Sequence, residues 1–470
     1  MKIVALSINP LFDDRVIGGS TKHLRTVVTR LAEDGHDVTV LCTGRPDTVP
    51  FNWHPRAQVL PVLHHKQPFP QPYDIPSFAM AGNIAVIAEH LADADRLYSH
   101  DGEFLFPAVA GDLPTIVSLR DNAYPETMLG SYLWAPDVLI TIAEFSRDVV
   151  LAGPGRFAPG LAARTRMIHN GIDFDAFCPD GGAAAQHSAA ELRALLGIET
   201  SDRTVVLHPH RPEPSKGLPQ TLAVVDRLVH DHGRSDLLLL VPDWFDTDAG
   251  EETREFARGM QAEVDARGLT GHVHVHPWVP QRLMPDYYRL GDLTLALGHF
   301  MEAFGNTVYE SLACGTPAIA ARVSTHRTLM PDELLPKVHF GDADDTTQVA
   351  AAMLDRGRSV APEVHEYLRR HFSLESQLDG YAEAIVTARK LPALRHEFQP
   401  LTAATPMRLA PWCYFWGDAR CWHDYLAVHR HLPLLAELLD AGGGVVTLGA
   451  HPDVAGWYRD GYLVPEPGTG

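Results

Sequence analysis

Two glutamates, Glu302 and Glu310, flank the predicted start of a helix over residues 307–313. A short apolar strand precedes them, so the helix begins near Gly305 or Asn306. The first N–H groups of a helix have no intrahelical partner and lie at the positive end of its dipole, which favours phosphate groups or sugar hydroxyls. Spacing alone favours a plainer interpretation, namely one solvated glutamate and one glutamate on a helix surface.

A basic pair, Arg211 and Lys216, follows a second predicted strand over residues 205–207. Open α/β sheets bind ligands beyond the carboxyl ends of their strands. A planar guanidinium and a compact ammonium together stabilise negative charge on phosphate groups without a metal. A solvated basic loop explains the pair equally well when nothing else is considered.

Paired glycines, Gly18 and Gly19, follow the first predicted strand over residues 3–8. They precede a helix with apolar residues at helical spacing and then a strand over residues 38–41, which makes a βαβ unit. Such glycines often mark only a turn. Asp13 lies ahead of this loop as a candidate for contact with a second substrate, although a surface role explains it as well.

Composition and length limit the class of protein. The 470 residues predict two domains, and the net charge of -20 excludes nucleic acid and anionic membranes as partners. The acidic surface predicts solubility or, as an alternative, a cationic acceptor such as an amino sugar.

The sequence shows little sign of processing, of membrane insertion or of metal binding. The five scattered cysteines predict free thiols in the cytoplasm, and the sequence predicts no signal peptide or membrane insertion. The alternation His272, His274, His276 does not predict a metal site, because the outer two lie about 13 Å apart in a strand.

Alternating strands and helices predict an α/β fold class with two tandem Rossmann-like, doubly wound domains and a C-terminal extension. We expect an N-terminal domain over residues 1–180, a second domain over 200–375 and a return helix over 376–395. Residues 396–470 are rich in aromatic side chains and predict an ordered extension of unknown role. Within it, the sequence predicts a helix over 423–439 and a strand over 445–448.

Several phrases, in this order, resemble retaining glycosyltransferases of the two-domain GT-B type, particularly family 4, whose signature is E-x7-E. The resemblance covers most of residues 1–390 and is carried by Gly18-Gly19, Asp34-Gly35-His36-Asp37-Val38-Thr39-Val40, His169-Asn170-Gly171-Ile172-Asp173, Arg211 with Lys216-Gly217, and residues 302–317.

The resemblance implies a role for each residue of the glutamate motif. Glu302 would contact the hydroxyls of the donor sugar on the reacting face. Phe304, Gly305 and Asn306 would supply backbone amides for that sugar and the distal phosphate. Glu310 would hold the ribose hydroxyls in a bidentate contact, which suits a carboxylate.

The resemblance also places residues around the diphosphate and the nucleobase. Arg211 and Lys216 would neutralise the leaving diphosphate, and the Gly18-Gly19 loop would approach the diphosphate and the acceptor, with Lys22 or His23 nearby. Backbone groups near Trp278 and Val279 would lie against the base. A tryptophan packed in the core explains Trp278 equally well.

One position departs from the family pattern. Members commonly carry a histidine after the strand that corresponds to residues 115–118, whereas this sequence continues Leu119-Arg120-Asp121. Arg120 and Asp121 are therefore candidates for unusual substrate preference and, with Asp13 and His23, for acceptor contacts.

The resemblance implies transfer of a sugar from a nucleoside-diphosphate sugar, with UDP the better guess, to a hydroxyl of a soluble saccharide or small-molecule acceptor. It also implies that the N-terminal domain, residues 1–180, lies on the acceptor side and that the second domain, residues 200–375, binds the nucleotide sugar. The nucleotide sugar is a co-substrate, and neither a cofactor nor a metal is expected. Two alternatives stay open: a GT-B enzyme of another reaction type (phosphorylase, epimerase or non-glycosidic coupling), and a nucleotide-sugar-binding protein without catalysis. The oligomeric state is also open.

Overall fold

The computed structural model describes residues 1–16, 18–67, 71–181, 185–243 and 251–466. The remaining positions within the predicted domains and extension lie outside the described residues. The described chain folds into two units of parallel sheet covered by helices, followed by two small antiparallel sheets. This architecture confirms the predicted fold class, while the predicted domain limits remain predictions.

The first unit is an eight-stranded sheet with helices on both faces. Its strands in chain order are β1 (Lys2–Leu6), β2 (Asp37–Thr43), β3 (Phe51–His54), β4 (Ala57–Leu63), β5 (Arg96–Ser99), β6 (Thr115–Leu119), β7 (Val138–Thr141) and β8 (Thr165–Met167). Its helices are α1 (Gly19–Glu33), α2 (Ser77–Leu91), α3 (Pro125–Trp134) and α4 (Glu144–Ala152).

Strand order in this sheet is β3-β4-β2-β1-β5-β6-β7-β8, with only β3 antiparallel to its neighbour. Ile3 of β1 pairs with Val38 of β2 on one side and with Arg96 of β5 on the other. Strands β2 to β4, which follow β1 in the chain, therefore lie on one side of it, and strands β5 to β8 lie on its other side. That reversal opens a crevice at the carboxyl ends of β1 and β5, where open sheets bind ligands.

The second unit repeats this plan with six strands in the order β11-β10-β9-β12-β13-β14. Its elements are α5 (Ala185–Leu196), β9 (Thr204–Leu207), α6 (Leu218–His230), β10 (Leu237–Pro242), α7 (Glu251–Ala266), β11 (Val273–His276), α8 (Met284–Leu290), β12 (Leu293–Ala296), α9 (Asn306–Ala313), β13 (Ala318–Ala321), β14 (Lys337–Val338), α10 (Ala343–Asp355) and α11 (Pro362–His371). Strand β10 is buried along its whole length, as expected for a parallel sheet covered on both faces. Here the reversal lies between β9 and β12.

Helix α12 (Leu374–Thr387) returns to the first sheet, where Tyr381 and Ile385 join its core. The helix expected over residues 376–395 is therefore wrong at its C-terminal end. Beyond Thr387 the first domain holds the chain in a non-helical conformation, because the Leu391 N–H donates to the buried carboxylate of Asp137 at 2.7 Å. That donor is no longer available to a helical carbonyl.

The extension forms two antiparallel three-stranded sheets, β19-β15-β20 and β16-β17-β18, with two short helices. Its elements are β15 (Pro406–Leu409), β16 (Cys413–Trp416), β17 (Arg420–His423), β18 (Val428–His431), α13 (Pro433–Ala441), β19 (Val445–Thr447), α14 (Val454–Arg459) and β20 (Leu463–Pro465). The predicted strand near residue 445 is confirmed. The predicted helix over 423–439 is wrong in its first half, because β17 and β18 pair there and Pro433 favours the start of a helix.

Candidate functional site

A cleft of about 430 Å³ lies between the two Rossmann-like units, at the carboxyl ends of their central strands. It contains both strand-order reversals, where this fold binds ligands. Most of the residues that the sequence singled out line it, namely Gly18, Gly19, Arg120, Asp121, Arg211, Lys216, Trp278, Val279, Glu302, Phe304, Gly305, Asn306 and Glu310. Their individual roles remain predictions.

Helix α9 points its first turn into this cleft. Gly305 precedes the helix in the left-handed region, with φ of 82°, and no side chain caps the first N–H groups. A Cβ at Gly305 would lie 2.2 Å from Cε1 of His326, so both the backbone angle and the neighbouring ring require glycine. The helix start is therefore open to a ligand that accepts hydrogen bonds.

Helix α1 of the first unit meets α9 across the cleft. Gly18 precedes α1 without a side-chain cap, and a Cβ on Gly19 would lie only 2.9 Å from Nδ2 of Asn306. Two helix N-termini thus converge on one place, one from each unit. Converging positive ends of helix dipoles favour a ligand with more than one negative group, such as a diphosphate.

Lys216 and Glu302 form an ion pair at the base of the cleft. The Lys216 Nζ lies 2.6 Å from Glu302 Oε1 and 3.8 Å from the centre of the Phe300 ring. Burial raises the pKa of Glu302, but the ammonium of Lys216 outweighs it, so this pKa lies below its usual range. Glu302 is therefore ionised at neutral pH.

Close backbone packing sets the position of that pair. Gly217 follows Lys216 with φ of +85°, and a Cβ on it would lie 2.4 Å from the backbone nitrogen of Gly298. The amides of His299 and Phe300 both donate to the Ser215 carbonyl, at 2.9 and 3.1 Å. The loops after β9 and β12 are thus held in contact, which brings a lysine from one against a glutamate from the other.

Arg211 lies at the rim of the cleft, on the same loop as Lys216. Its Nε is 3.3 Å from Glu213 Oε1, and its side chain is 35% exposed. The guanidinium lies in the same cleft as the Lys216–Glu302 pair, and it presents a planar fork that suits phosphate oxygens.

Glu310 accepts hydrogen bonds from both units. The Lys22 Nζ of α1 donates to Oε1 at 2.7 Å, and the Tyr288 hydroxyl donates to Oε2 at 3.3 Å. The sequence named Lys22 only in passing. Lys22 lies on the first turn of α1, and a lysine there points into the same cleft as the helix start. That position is the sequence signal that could have identified Lys22 as a site residue.

Trp278 and Phe304, the two aromatic residues predicted on the donor side, have different surroundings. Trp278 is partly exposed and lines the cleft beside Val279, directly after β11. The Phe304 ring packs against Tyr309 and Phe372 in the core of the second unit. The Phe304 ring therefore stabilises the loop before α9, while a contact of its backbone with the donor stays a prediction.

Arg120 connects the two units. Its Nη2 donates to the Asn170 side chain at 2.8 Å and its Nη1 to the Tyr381 hydroxyl at 2.9 Å. Asn170 in turn donates to Oδ1 of Asn306 at 3.0 Å. A residue in the place of the family's usual histidine thus positions the start of α9 through one intermediate side chain.

Asp121 lies on the first-domain wall of the cleft with Asp101 and Glu103, two residues that the sequence reasoning missed. Burial, with a smaller contribution from the neighbouring Asp101, raises the pKa of Asp121 to about 7, although hydrogen bonds from the amides of Ala123 and Tyr124 and from Thr127 act in the opposite direction. The missed pair follows β5, a strand of only four residues that begins with an arginine. It therefore shows no apolar run, and its end was not recognised as a ligand-binding edge.

Two acceptor candidates do not line the cleft. His23 is 3% exposed and is held between the Gln377 amide, 2.7 Å away, and Asn306, 3.4 Å away. Burial lowers its pKa well below the usual value, so the ring is a neutral packing group between the units. Asp13 is exposed outside the cleft. The expectation that His23 contacts the acceptor is wrong, because its ring is buried between the units and Lys22 lines the cleft instead. For Asp13, its exposure agrees with the surface role that the sequence also allowed.

The three alternating histidines contact different partners. His272 and His274 contact the carbonyls of Leu237 and Leu196, and His276 contacts the Tyr287 hydroxyl. Within the described residues, no group of three His, Cys, Asp or Glu side chains has the arrangement to hold a metal ion. Among the described helices, none combines the length and the apolar character that a bilayer crossing requires.

Family models match both units. The model described as "Glycosyltransferase Family 4" matches residues 17–176, and the model described as "Glycosyl transferases group 1" matches residues 197–352, so that together they cover about two thirds of the chain. The chain belongs to the family 4-like glycosyltransferases of the GT-B type. The predicted family is thereby confirmed.

Curated relatives match parts of this glycosyltransferase. A D-inositol 3-phosphate glycosyltransferase of Xylanimonas cellulosilytica is 33% identical over 172 residues, which is 36% of this chain and 38% of the relative. The putative glycosyltransferase YtcC of Bacillus subtilis is 23% identical over 221 residues, which is 46% of this chain and 51% of the relative. The match thus spans between about a third and about half of the length of these relatives.

Solved structures share the fold over most of the chain. Sucrose-phosphate synthase from Thermosynechococcus elongatus has a TM-score of 0.65 at 16% identity, covering 81% of this chain and 97% of the other. The Anabaena protein HepE in complex with UDP and glucose has a TM-score of 0.62 at 16% identity, covering 82% and 98%. At this level of identity the likeness establishes the fold alone.

Proposed function

We propose that the protein transfers a sugar from a nucleoside-diphosphate sugar to a hydroxyl group of a saccharide or small-molecule acceptor, with retention at the anomeric carbon. The observation that carries the proposal is the convergence of the α1 and α9 N-termini on a cleft that also holds the Lys216–Glu302 pair. Family membership and the UDP bound to the structural neighbour HepE make UDP the preferred nucleotide.

The second domain binds the donor in this proposal. The free amides at the start of α9 hold the distal phosphate, and Glu302 contacts the sugar hydroxyls. Glu310 holds the ribose, which requires it to share its oxygens with Lys22. Trp278 and Val279 border the nucleobase.

Departure of the nucleotide is assisted by Lys216 and Arg211. Charge develops on the β-phosphate as the glycosidic bond breaks, and two cations in a partly enclosed cleft stabilise it. These residues supply the positive charge that a metal provides in other enzymes, so the proposed reaction is independent of metal ions. No cofactor besides the nucleotide-sugar co-substrate is needed.

The acceptor reacts on the face of the sugar that the nucleotide leaves. An oxygen of the departing phosphate takes the proton of the acceptor hydroxyl, and the new glycosidic bond forms on that same face. Glu302 stays a contact of the donor sugar in this route. The first domain presents the acceptor, and the protein acts in the cytoplasm, in keeping with its five unpaired cysteines.

Nucleotide release from a panel of UDP-, GDP-, ADP- and dTDP-sugars, with and without a metal chelator, tests the proposal. We expect release from one donor, unchanged by the chelator, and a product whose anomeric proton shows the donor's configuration by NMR. Tight binding of a donor without release would favour a binding protein. Turnover without a nucleotide sugar would favour a phosphorylase or an epimerase.

A further inference from the structure

Three carboxyl groups form the first-domain wall of the cleft: Asp101, Glu103 and Asp121. They follow β5 and β6, which are neighbours in the sheet. Gly102 lies between the first two with φ of +72°, and Gly130 of α3 packs so closely on its carbonyl that a Cβ there would lie 1.6 Å from the oxygen. This close packing of two glycines fixes the turn that directs two carboxyl groups to one side.

Neighbouring groups hold two of these carboxyl groups in place. Asp101 is 3% exposed and accepts hydrogen bonds from the hydroxyls of Ser7 and Ser20. Asp121 accepts from the amide of Ala123 at 3.0 Å and from the Thr127 hydroxyl at 3.3 Å. The wall is therefore an ordered part of the cleft rather than a mobile acidic surface.

Glu103 is the unusual member. Glu103 is one of the residues that line the cleft and is 3% exposed, yet its Oε2 has no hydrogen-bond partner in the described part of the chain. Buried polar atoms in folded proteins nearly always have a partner. A carboxyl oxygen without one, at the wall of a binding cleft, indicates that a ligand provides the donor.

The described cations of the cleft are directed elsewhere. Lys22 pairs with Glu310, and Lys216 pairs with Glu302. Arg211 pairs with Glu213, and Arg120 donates to the side chains of Asn170 and Tyr381. Lys22 and Lys216 are therefore held by glutamates of the second unit, and Arg120 lies at the contact between the units.

We propose that this wall is an acceptor subsite for a protonated amine, so that the acceptor is an amino sugar or an aminocyclitol. The inference rests on the proposed glycosyl transfer. An ammonium group offers three N–H donors, which matches a wall of three carboxyl groups. A phosphorylated acceptor, such as the inositol phosphate in the names of several relatives, would instead be repelled there.

The raised pKa values of Glu103 and Asp121 in this wall agree with the binding of a cation there. Burial, followed by Asp101, Asp121 and the nearby Glu126, raises the pKa of Glu103 well above its usual value. Carboxyl groups this close cannot all ionise unless a cation joins them. Arg211 and Glu213 reach this region from across the cleft, on the far side of Tyr124, and they carry opposite charges and are paired at 3.3 Å.

Isothermal titration of the protein–UDP complex tests the subsite. Glucosamine and streptamine supply the amine, glucose and inositol are their neutral counterparts, and glucose phosphate and inositol phosphate are the anionic ones. We expect at least one amine to bind about 10-fold more tightly than its neutral counterpart, since hydrogen bonds between charged groups are the stronger ones. The anionic counterpart should bind more weakly still.

Two isosteric variants locate the effect. Glu103→Gln and Asp121→Asn should each reduce the preference for the amine over the neutral compound by about 10-fold. Asp112→Asn makes the same change of charge at an exposed residue outside the cleft and should leave the preference unchanged. Unaltered preference in both cleft variants would overturn the assignment of these residues.

The remaining outcomes separate the acceptor class from the reaction. Equal binding of amine and neutral compound, tighter binding of a phosphorylated compound, or no binding of either amine would overturn the proposed subsite. Because binding is measured at equilibrium, these results do not depend on turnover. Absence of nucleotide release from every donor would overturn the transferase proposal while leaving a measured amine preference intact.

Discussion

At the scale of single residues, the cleft combines buried ions of opposite sign in separate places. Lys216 is paired with Glu302 on the donor side, while three carboxyl groups gather on the acceptor side. Burial makes each of these charges sensitive to its partner, because water no longer screens it. Substituting a residue on one side of the cleft should therefore alter the function of that side and leave the function of the other side unchanged.

Replacing Lys216 with methionine should lower the rate of nucleotide release by about 100-fold or more, since it removes a charge that stabilises the leaving diphosphate. The rate constant kcat, measured with saturating donor, checks this. Lys2→Met removes an exposed lysine far from the cleft and should keep full activity. Full activity in the Lys216 variant, with the fold verified by circular dichroism, would contradict its assigned role.

Asp121 should make the protein less stable as pH rises. Its pKa is raised from 3.8 to about 7 in the folded protein, so folding favours the protonated form. That stabilisation is fully present below about pH 4 and is lost as pH rises through about 7. Asp121→Asn should therefore flatten the fall in the free energy of unfolding, measured with urea at about pH 5 and about pH 8. A slope equal to that of Asp112→Asn would refute this.

At the scale of elements, the site is formed by the first turns of helices and by the loops that follow strands. Helix α9 needs glycine at its start, and the loops after β9 and β12 need Gly217 and Gly298 at their contact. The extension is attached in a comparable way, since the buried Asp424 after β17 accepts from Arg327, from Trp422 and from the Ser324 amide. Each of these contacts can be broken by one substitution.

Gly305→Ala should weaken donor binding by about 10-fold or more, because its methyl group would collide with His326 and displace the amides at the start of α9. Gly341→Ala is the matched control, with φ of +80° and no atom within 4 Å of the added Cβ. Both variants carry backbone strain of about 1–2 kcal/mol. Only Gly305→Ala should change the Kd for UDP, and equal values for the two variants would contradict the proposed use of these amides.

Asp424→Ala should lower the free energy of unfolding by about 3–5 kcal/mol, since it leaves the Arg327 guanidinium buried without its carboxylate. Glu366→Ala breaks an ion pair of the same kind at an exposed position of α11 and should cost less than about 1 kcal/mol. Urea unfolding of both variants checks the difference. Similar losses would show that the extension is not anchored through Asp424.

At the scale of the whole molecule, the two Rossmann-like units are joined in several places besides the cleft. Helix α12 packs on the first sheet, and the extension contacts both units. Tyr425 of the extension donates to the Asn122 carbonyl in the first unit, while Trp422 packs on Val323 in the second. Helix α12 and the extension therefore link the two units.

Binding of UDP should protect amides in both units from hydrogen exchange. We expect slower exchange around Gly19 of α1 as well as around Asn306 of α9, because the two helix starts are in contact. The hairpin of β17 and β18 lies outside the cleft and should exchange unchanged. Mass spectrometry of the exchanged peptides checks this, and protection confined to the second unit would contradict a site shared between the units.

Much of the fold could be predicted from the sequence because apolar runs and helical spacing are local. Strands β1, β2, β6 and β9 and helix α9 lie where the sequence predicts them, to within two residues at each end. Strand β5 escaped prediction because it is short and begins with Arg96, and β18 escaped it because it is stabilised by pairing with β17 rather than by its own pattern.

The sequence by itself determined the family, the two-unit architecture and the donor-side motif, since short runs of residues carry each of them. Only the tertiary structure decided which groups share the cleft. It buried His23 between the units and directed Lys22 to Glu310. It also gathered Asp101 and Glu103 beside Asp121, because separate strands end side by side only when the sheet forms.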